Sequence, residues 1–112
     1  MEVFDSGAFL KRLMGDRQLA ALIVKGFLEG FPPQLNILRT RLAEADGPGA
    51  RLQAHALKGS AATVSALGLR AVAQEMERAA GAGELDRCGA LLPRVLEEFE
   101  RYRSSLEQAG WL

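Results

Sequence analysis

Apolar residues fall three and four apart along most of this chain, the spacing of amphipathic helices, and no stretch alternates as a strand would. Phe9, Leu10 and Leu13 predict a short helix over residues 4–13, with Asp5 or Ser6 as its cap. Met14-Gly15-Asp16 breaks it, Gly15 stopping one helix and Asp16 capping the next. Ala20, Ile23, Val24, Phe27 and Phe31 then form one stripe from residue 17 to about 31, opposite Gln18, Lys25 and Glu29. Leu22 lies on that polar face, either as an ordinary exposed leucine or as a docking contact. Pro32-Pro33 predicts the end of this helix and the start of another. The residue before a proline avoids the helical region, while a proline suits a first turn. Leu35, Leu38, Leu42 and Ala45 carry the new helix over 34–45, and Asp46-Gly47-Pro48-Gly49 turns the chain.

A helix from about 49 to 64 follows, then a corner at 65–68, then a helix over 69–80 through Leu69, Val72, Met76 and Ala79. After a turn at Gly81-Ala82-Gly83, the last helix is predicted from 84 to about 108. Its seam of Leu85, Cys88, Leu92, Val95, Phe99, Tyr102 and Leu106 alternates threes and fours, as bundle helices do. Pro93 lies inside it and should kink or locally open it. Gly110-Trp111-Leu112 is expected to fray or lie on the surface. Short loops between amphipathic helices give the expected fold class. It is all-α, an antiparallel up-down four-helix bundle with a short additional N-terminal helix, in a single domain over residues 1–112.

The helix over 49–64 holds the only histidine. At about 100° per residue, Leu57, Ser60, Ala61 and Val64 fall on the far side from His55, and Ala50 continues that stripe. Arg51, Lys58, Gly59 and Ala62 fall within about 60° of it. The imidazole therefore points outward between two cations, over a floor with almost no side chain. Gly59 costs the helix about 1 kcal/mol relative to alanine, a loss tolerated where something must approach closely. A neutral imidazole, the main form near neutral pH for a reference pKa of about 6.5, has a free lone pair. Arg51 and Lys58 fit either attraction of a phosphoryl group or an ordinary charged face. Leu52 and Ala62 beside His55 suit partner docking as a small apolar patch.

Other roles for the histidine need neighbours that the sequence does not offer. A catalytic base needs a nucleophile or a metal, and the single cysteine, Cys88, falls on the core stripe of another helix as a packed thiol. A metal site needs more ligands than one histidine and scattered carboxylates. One cysteine also excludes an internal disulfide. Formal net charge is zero with both signs mixed along the chain, which argues against nucleic acid as a partner. No apolar run approaches membrane-spanning length and the N-terminus lacks a signal-peptide pattern, so a cytoplasmic domain without membrane contact is expected. No glycine-rich phosphate cradle is present.

The run His55-Ala56-Leu57-Lys58-Gly59-Ser60-Ala61 resembles the phosphorylation motif of histidine-containing phosphotransfer (HPt) domains. Gly15-Asp16 followed by Phe27-Leu28-Glu29 and a proline is similar to the family's first bundle helix, and residues 67–80 to its post-histidine helix. Ser65 departs from the family's usual glycine at the close of the histidine helix, and a serine in a left-handed conformation there would cost about 1 kcal/mol.

The resemblance implies a phosphorelay intermediary of two-component signalling. His55 would be the phosphoacceptor, taking a phosphoryl group from a receiver-domain phospho-aspartate and passing it to another receiver. It implies a phosphate-facing role for Lys58 and the close-approach floor at Gly59. It also implies that Glu77 accepts a hydrogen bond from Nδ1–H, leaving Nε2 as nucleophile; the alternative is a solvated carboxylate. No cofactor is expected on this chain, Mg2+ belonging to the receiver. The expected partners are response-regulator receiver domains and a sensor histidine kinase. The chain is expected to be a monomeric phosphocarrier rather than a complete enzyme. Its opening, Val3-Phe4-Asp5, resembles the C-terminal HPt segment of hybrid sensor kinases. Two alternatives remain: a non-phosphorylated docking module for a receiver or kinase, and a metal- or small-molecule-binding bundle.

Overall fold

Capping aspartates start three of the helices. Asp5 accepts from Ala8 N, Asp16 from Leu19 N and Asp46 from Gly49 N, all at 2.8–3.0 Å. They open α1 (Ser6–Arg12), α2 (Arg17–Ala43) and α3 (Gly47–Thr63). The chain continues through α4 (Leu67–Gly81), α5 (Leu85–Ala90) and α6 (Leu92–Gln108). The structure is a computed structural model that describes residues 4–112. Val3, the first residue of the opening likened to hybrid-kinase segments, lies outside them. Both α3 and α4 begin two residues earlier than the sequence predicts. Pro48 occupies the first turn of α3, where its missing N–H would have had no partner. Among the described residues the only β pairing is an isolated bridge between Phe4 and Ala66.

The predicted break at Pro32-Pro33 does not occur. α2 runs through both prolines for 27 residues. Both rings lie on the exposed side, while Ala20, Val24, Phe27, Phe31, Leu35 and Leu38 form one uninterrupted buried row. The carbonyls of Leu28 and Glu29 lose their helical donors to the prolines. They lie on the prolines' side of the helix, where water can satisfy them. Burial on both sides of the prolines outweighs the local preference to break. Pro93 behaves differently. The predicted long last helix is interrupted at Leu91, and Pro93 sits in the first turn of α6.

Side-chain contacts join the long helices in pairs. Gln53 Nε2 donates to the Gln34 carbonyl at 3.0 Å between α3 and α2. His55 and Lys58 meet Glu77 between α3 and α4. Arg94 meets Glu75 at 3.2 Å between α6 and α4. Phe99 of α6 stacks on Phe31 of α2 with centroids 4.9 Å apart and planes at 12°. The core fills the space between them, with Leu38, Leu57, Leu69, Met76, Val95, Tyr102 and Leu106 all fully buried. The C-terminal tail does not fray. Trp111 packs edge-on against Phe4 at 5.7 Å, beside Phe9, with the Arg17 guanidinium over its ring. Among the described residues no helix is long and apolar enough to cross a membrane.

Candidate functional site

The helix carrying His55 is held by small residues. Its buried face is Ala50, Ala54, Leu57 and Ala61, so α2 and α4 approach its backbone closely. Its far end is fixed from three other segments. Arg12 of α1 donates to the carbonyls of Ala62 and Thr63 at 3.2 and 3.0 Å and to Ser65 Oγ at 2.7 Å. Asp5 N donates to the Ser65 carbonyl at 3.3 Å. Tyr102 of α6 donates to the Val64 carbonyl at 3.0 Å. Burial pushes the Tyr102 phenol up, so it stays a donor. Ser65 does adopt the left-handed conformation, at φ 55°. The hydrogen bond from Arg12 offsets part of the strain that a glycine would avoid.

On the outer face the His55 side chain is 65% exposed, and its Nδ1 lies 2.9 Å from Glu77 Oε1. Lys58 Nζ donates to both oxygens of the same carboxylate, at 2.9 Å to Oε2 and 3.1 Å to Oε1. Glu77, with a side chain only 19% exposed, is thus shared by a ring and an ammonium. The hydrogen bond from His55, then that from Lys58, hold its carboxyl below the ordinary value of 4.5. An ionised Glu77 accepts and cannot donate, so Nδ1 carries the proton in this contact. In the neutral ring Nε2 then presents its lone pair on the opposite, outer edge.

Two grooves flank this crest. Towards α2 lies an open cavity of about 240 Å³, lined by Gly26, Phe27, Gly30 and Phe31 on one side and Ser60 and Thr63 on the other. A Cβ at Gly26, Gly30 or Gly59 would meet nothing within 4 Å. Nothing in the chain requires those glycines to be bare, and the space over them is open to an outside molecule. Towards α4 lies a groove of about 290 Å³, lined by Arg51, Lys58, Gln74, Glu77, Arg78 and Gly81.

The Hpt domain family model matches residues 23–105, which span His55, Glu77 and the helices that present them. The chain belongs to the Hpt domain family. The fold of this Hpt domain is similar to that in the crystal structure of histidine-containing phosphotransfer protein B (HptB) from Pseudomonas aeruginosa PAO1. The TM-score is 0.85 at 24% sequence identity, covering 96% of this chain and 93% of that one. No curated protein matches the chain. Family membership supports a phosphotransfer role in two-component signalling, and Hpt domains are phosphocarrier modules rather than enzymes with a nucleotide site.

The structure gathers most of the residues that the sequence singled out. Leu52, 72% exposed, sits one turn before His55 on the same face, and Ala62 is half-buried two turns after it. Lys58 is turned to Glu77 rather than standing free for a phosphate. Leu22 is not part of this cluster. It precedes Gln34, the α2 residue level with the middle of α3, by 12 positions, or about 18 Å along the helix. It is exposed on the polar side of α2. Sequence reasoning passed over Arg78, which lines the same groove as Arg51 and Lys58. Its only signal was its position next to Glu77. Among the described residues no group of three or more His, Cys, Asp or Glu is placed to hold a metal ion. Burial pushes the Cys88 thiol up and leaves it a packing group.

Proposed function

We propose that His55 is the phosphoacceptor of a phosphorelay intermediary. Its Nε2 attacks the phosphorus of a receiver-domain phospho-aspartate, the Nε2–P bond forms, the P–O bond to the aspartate breaks, and the aspartate leaves as carboxylate. The group then passes to a second receiver by the reverse chemistry. The observation that carries this reading is the 2.9 Å contact between Nδ1 and Glu77 on an exposed ring, which in the neutral imidazole puts the proton on Nδ1 and leaves the Nε2 lone pair free. Glu77 orients the ring and holds its tautomer, and Lys58 holds Glu77. Gly59, Leu52 and Ala62 form the surface on which the partner settles, with Arg51 at its edge.

The remaining parts of the reading follow from this chemistry. The receiver brings the Mg2+ and the acidic pocket, and this chain uses no cofactor and no ATP. The four long helices α2, α3, α4 and α6 act as an antiparallel up-down bundle, with α1 as the additional N-terminal helix, in one cytoplasmic, monomeric domain. A sensor histidine kinase stands upstream. The likeness to a histidine-containing phosphotransfer protein supports the reading.

The test is phosphotransfer from a panel of phosphorylated receiver domains to the wild type and to His55→Gln. Acid-labile, base-stable label on the wild type alone is the expected result. Binding without label on either protein would replace the reading by a docking module. Label on both would move the acceptor to another residue.

A further inference from the structure

The groove between α3 and α4 carries more positive charge than its own carboxylate can balance. Arg51, Lys58 and Arg78 line it against Glu77 alone, a formal excess of two positive charges in a chain whose formal net charge is zero. Glu77 is already engaged by His55 and Lys58. Elsewhere Arg12, Arg39, Arg41, Arg87, Arg94 and Arg101 each donate to an oxygen of the chain. Among the described residues Arg51 and Arg78 do not, and nor do the exposed Arg70 and Arg103 or Arg17, whose guanidinium lies over the Trp111 ring. Only the first two share a groove.

Arg51 is also placed deliberately. A Cβ on Gly81 would lie 3.2 Å from Arg51 Cδ, so the bare end of α4 gives the arginine stem a seat. That seat is the C-terminal turn of α4, where the helix dipole favours a cation. His55 is not among the residues lining the groove. Its Nδ1 edge faces Glu77 and its Nε2 edge faces away, so the groove is a second site beside the reacting atom rather than the seat of the phosphoryl group. Guanidinium groups pair with carboxylates by two parallel hydrogen bonds.

We infer that Arg51 and Arg78 clamp a pair of carboxylates on the surface of the receiver partner, next to its phospho-aspartate, and so set the orientation in which His55 meets the phosphorus. The inference rests on the phosphoacceptor reading of His55. In it Arg78 joins Arg51 as a residue of partner recognition, and Gly81 is a positioning residue that seats Arg51. Like charges held in one groove repel in the free domain. An acidic partner relieves that repulsion on binding, which makes the encounter fast at low salt and sensitive to salt.

The test uses a receiver that labels the wild type, with transfer measured from low to high salt. Phosphoramidate, a small phosphodonor that needs no docking, is run in parallel. Arg51→Ala/Arg78→Ala is expected to lower kcat/KM for the receiver about 10- to 100-fold at low salt and to flatten the salt dependence. Labelling by phosphoramidate should stay within about twofold. Arg51→Lys/Arg78→Lys should recover only part of the rate, because lysine is not a bidentate donor. Arg70→Ala, which removes a charge outside the groove, should match the wild type. Three results would overturn the clamp: an unchanged receiver rate in the double variant, an equal loss with phosphoramidate, or an equal loss in Arg70→Ala. A wild type that no receiver labels would instead overturn the phosphoacceptor reading itself.

Discussion

The two flanks of the histidine helix differ in kind. On the α4 side the groups nearest His55 are held: the ring by Glu77, Glu77 by Lys58, and the Arg51 stem, though not its guanidinium, by the bare end of α4. On the α2 side Gln53 and Ser60 bond to Gln34, but Gly26, Gly30 and Gly59 lie bare beneath open space. In the proposed reading one flank fixes the nucleophile and the other admits whatever it attacks. A phosphoryl carrier needs both properties at one atom, and a helix supplies them because residues on its two sides face different neighbours.

This contrast can be broken from either side, and the largest effect should come from the held flank. Glu77→Ala frees the ring, and transfer to His55 should fall about 10- to 100-fold, the scale seen when partners that orient histidine ligands are removed. Nitrogen NMR of the imidazole should show a mixed tautomer in the variant and one dominant Nδ1–H form in the wild type. Unchanged transfer with a mixed tautomer would mean that Glu77 does not orient the reaction.

The open flank should respond to bulk instead. A Cβ at Gly59 meets no atom of the chain within 4 Å, so Gly59→Leu starts its side chain into the open space of this flank. It should cut transfer from a receiver at least about tenfold, equivalent to about 1.4 kcal/mol. Thermal stability should meanwhile rise by up to about 1 kcal/mol from the better helix former. A variant as active as the wild type would show that no partner comes close there.

Smaller effects test the frame behind both flanks. Tyr102→Phe leaves the buried Val64 carbonyl without its donor, and denaturant unfolding should show a loss of about 1–2 kcal/mol. Ser65→Gly removes left-handed strain but also the Arg12 contact. The two terms, each about 1 kcal/mol, should nearly cancel.

The smallest change is with pH. Glu77 is held below its ordinary value of 4.5, so its ion pair and hydrogen bonds stabilise the fold above that value. This contribution is lost as the pH falls through the lowered folded value. Glu77→Gln should therefore be less sensitive to acid than the wild type below about pH 4.5. Equal acid sensitivity in the two proteins would mean that Glu77 adds nothing to stability.

Much of the site was legible before the fold. The outward phase of His55, its flanking by Arg51 and Lys58 and the bare floor at Gly59 follow from helical periodicity, which is local. So do the caps at Asp5 and Asp16. The engagement of Lys58 by Glu77 was not legible as a contact, because 19 residues separate them and either could have faced water. Arg78 was invisible for the same reason, since only the packing of α4 on α3 puts it in a groove with Arg51. Arg12 caps α3 from some 50 residues away, and no pattern within either helix announces it.

By itself, the sequence determined which residues turn inward and which outward, the caps that open α1 and α2, and that the one histidine stands exposed among cations. These are consequences of spacing and of short-range hydrogen bonding, and they hold wherever the helix is placed. Only the tertiary structure decided how the prolines act. Pro32 and Pro33 lose two backbone hydrogen bonds, yet α2 stays whole because Phe27 and Phe31 before them and Leu35 and Leu38 after them are buried in one row. Pro93, with Gly89 four residues ahead of it, follows a stretch in which Cys88 is the only fully buried side chain and Leu85, Leu91 and Leu92 are only partly buried, and the helix divides at Leu91. A local preference of a few kcal/mol yields when burial on both sides of it is worth more.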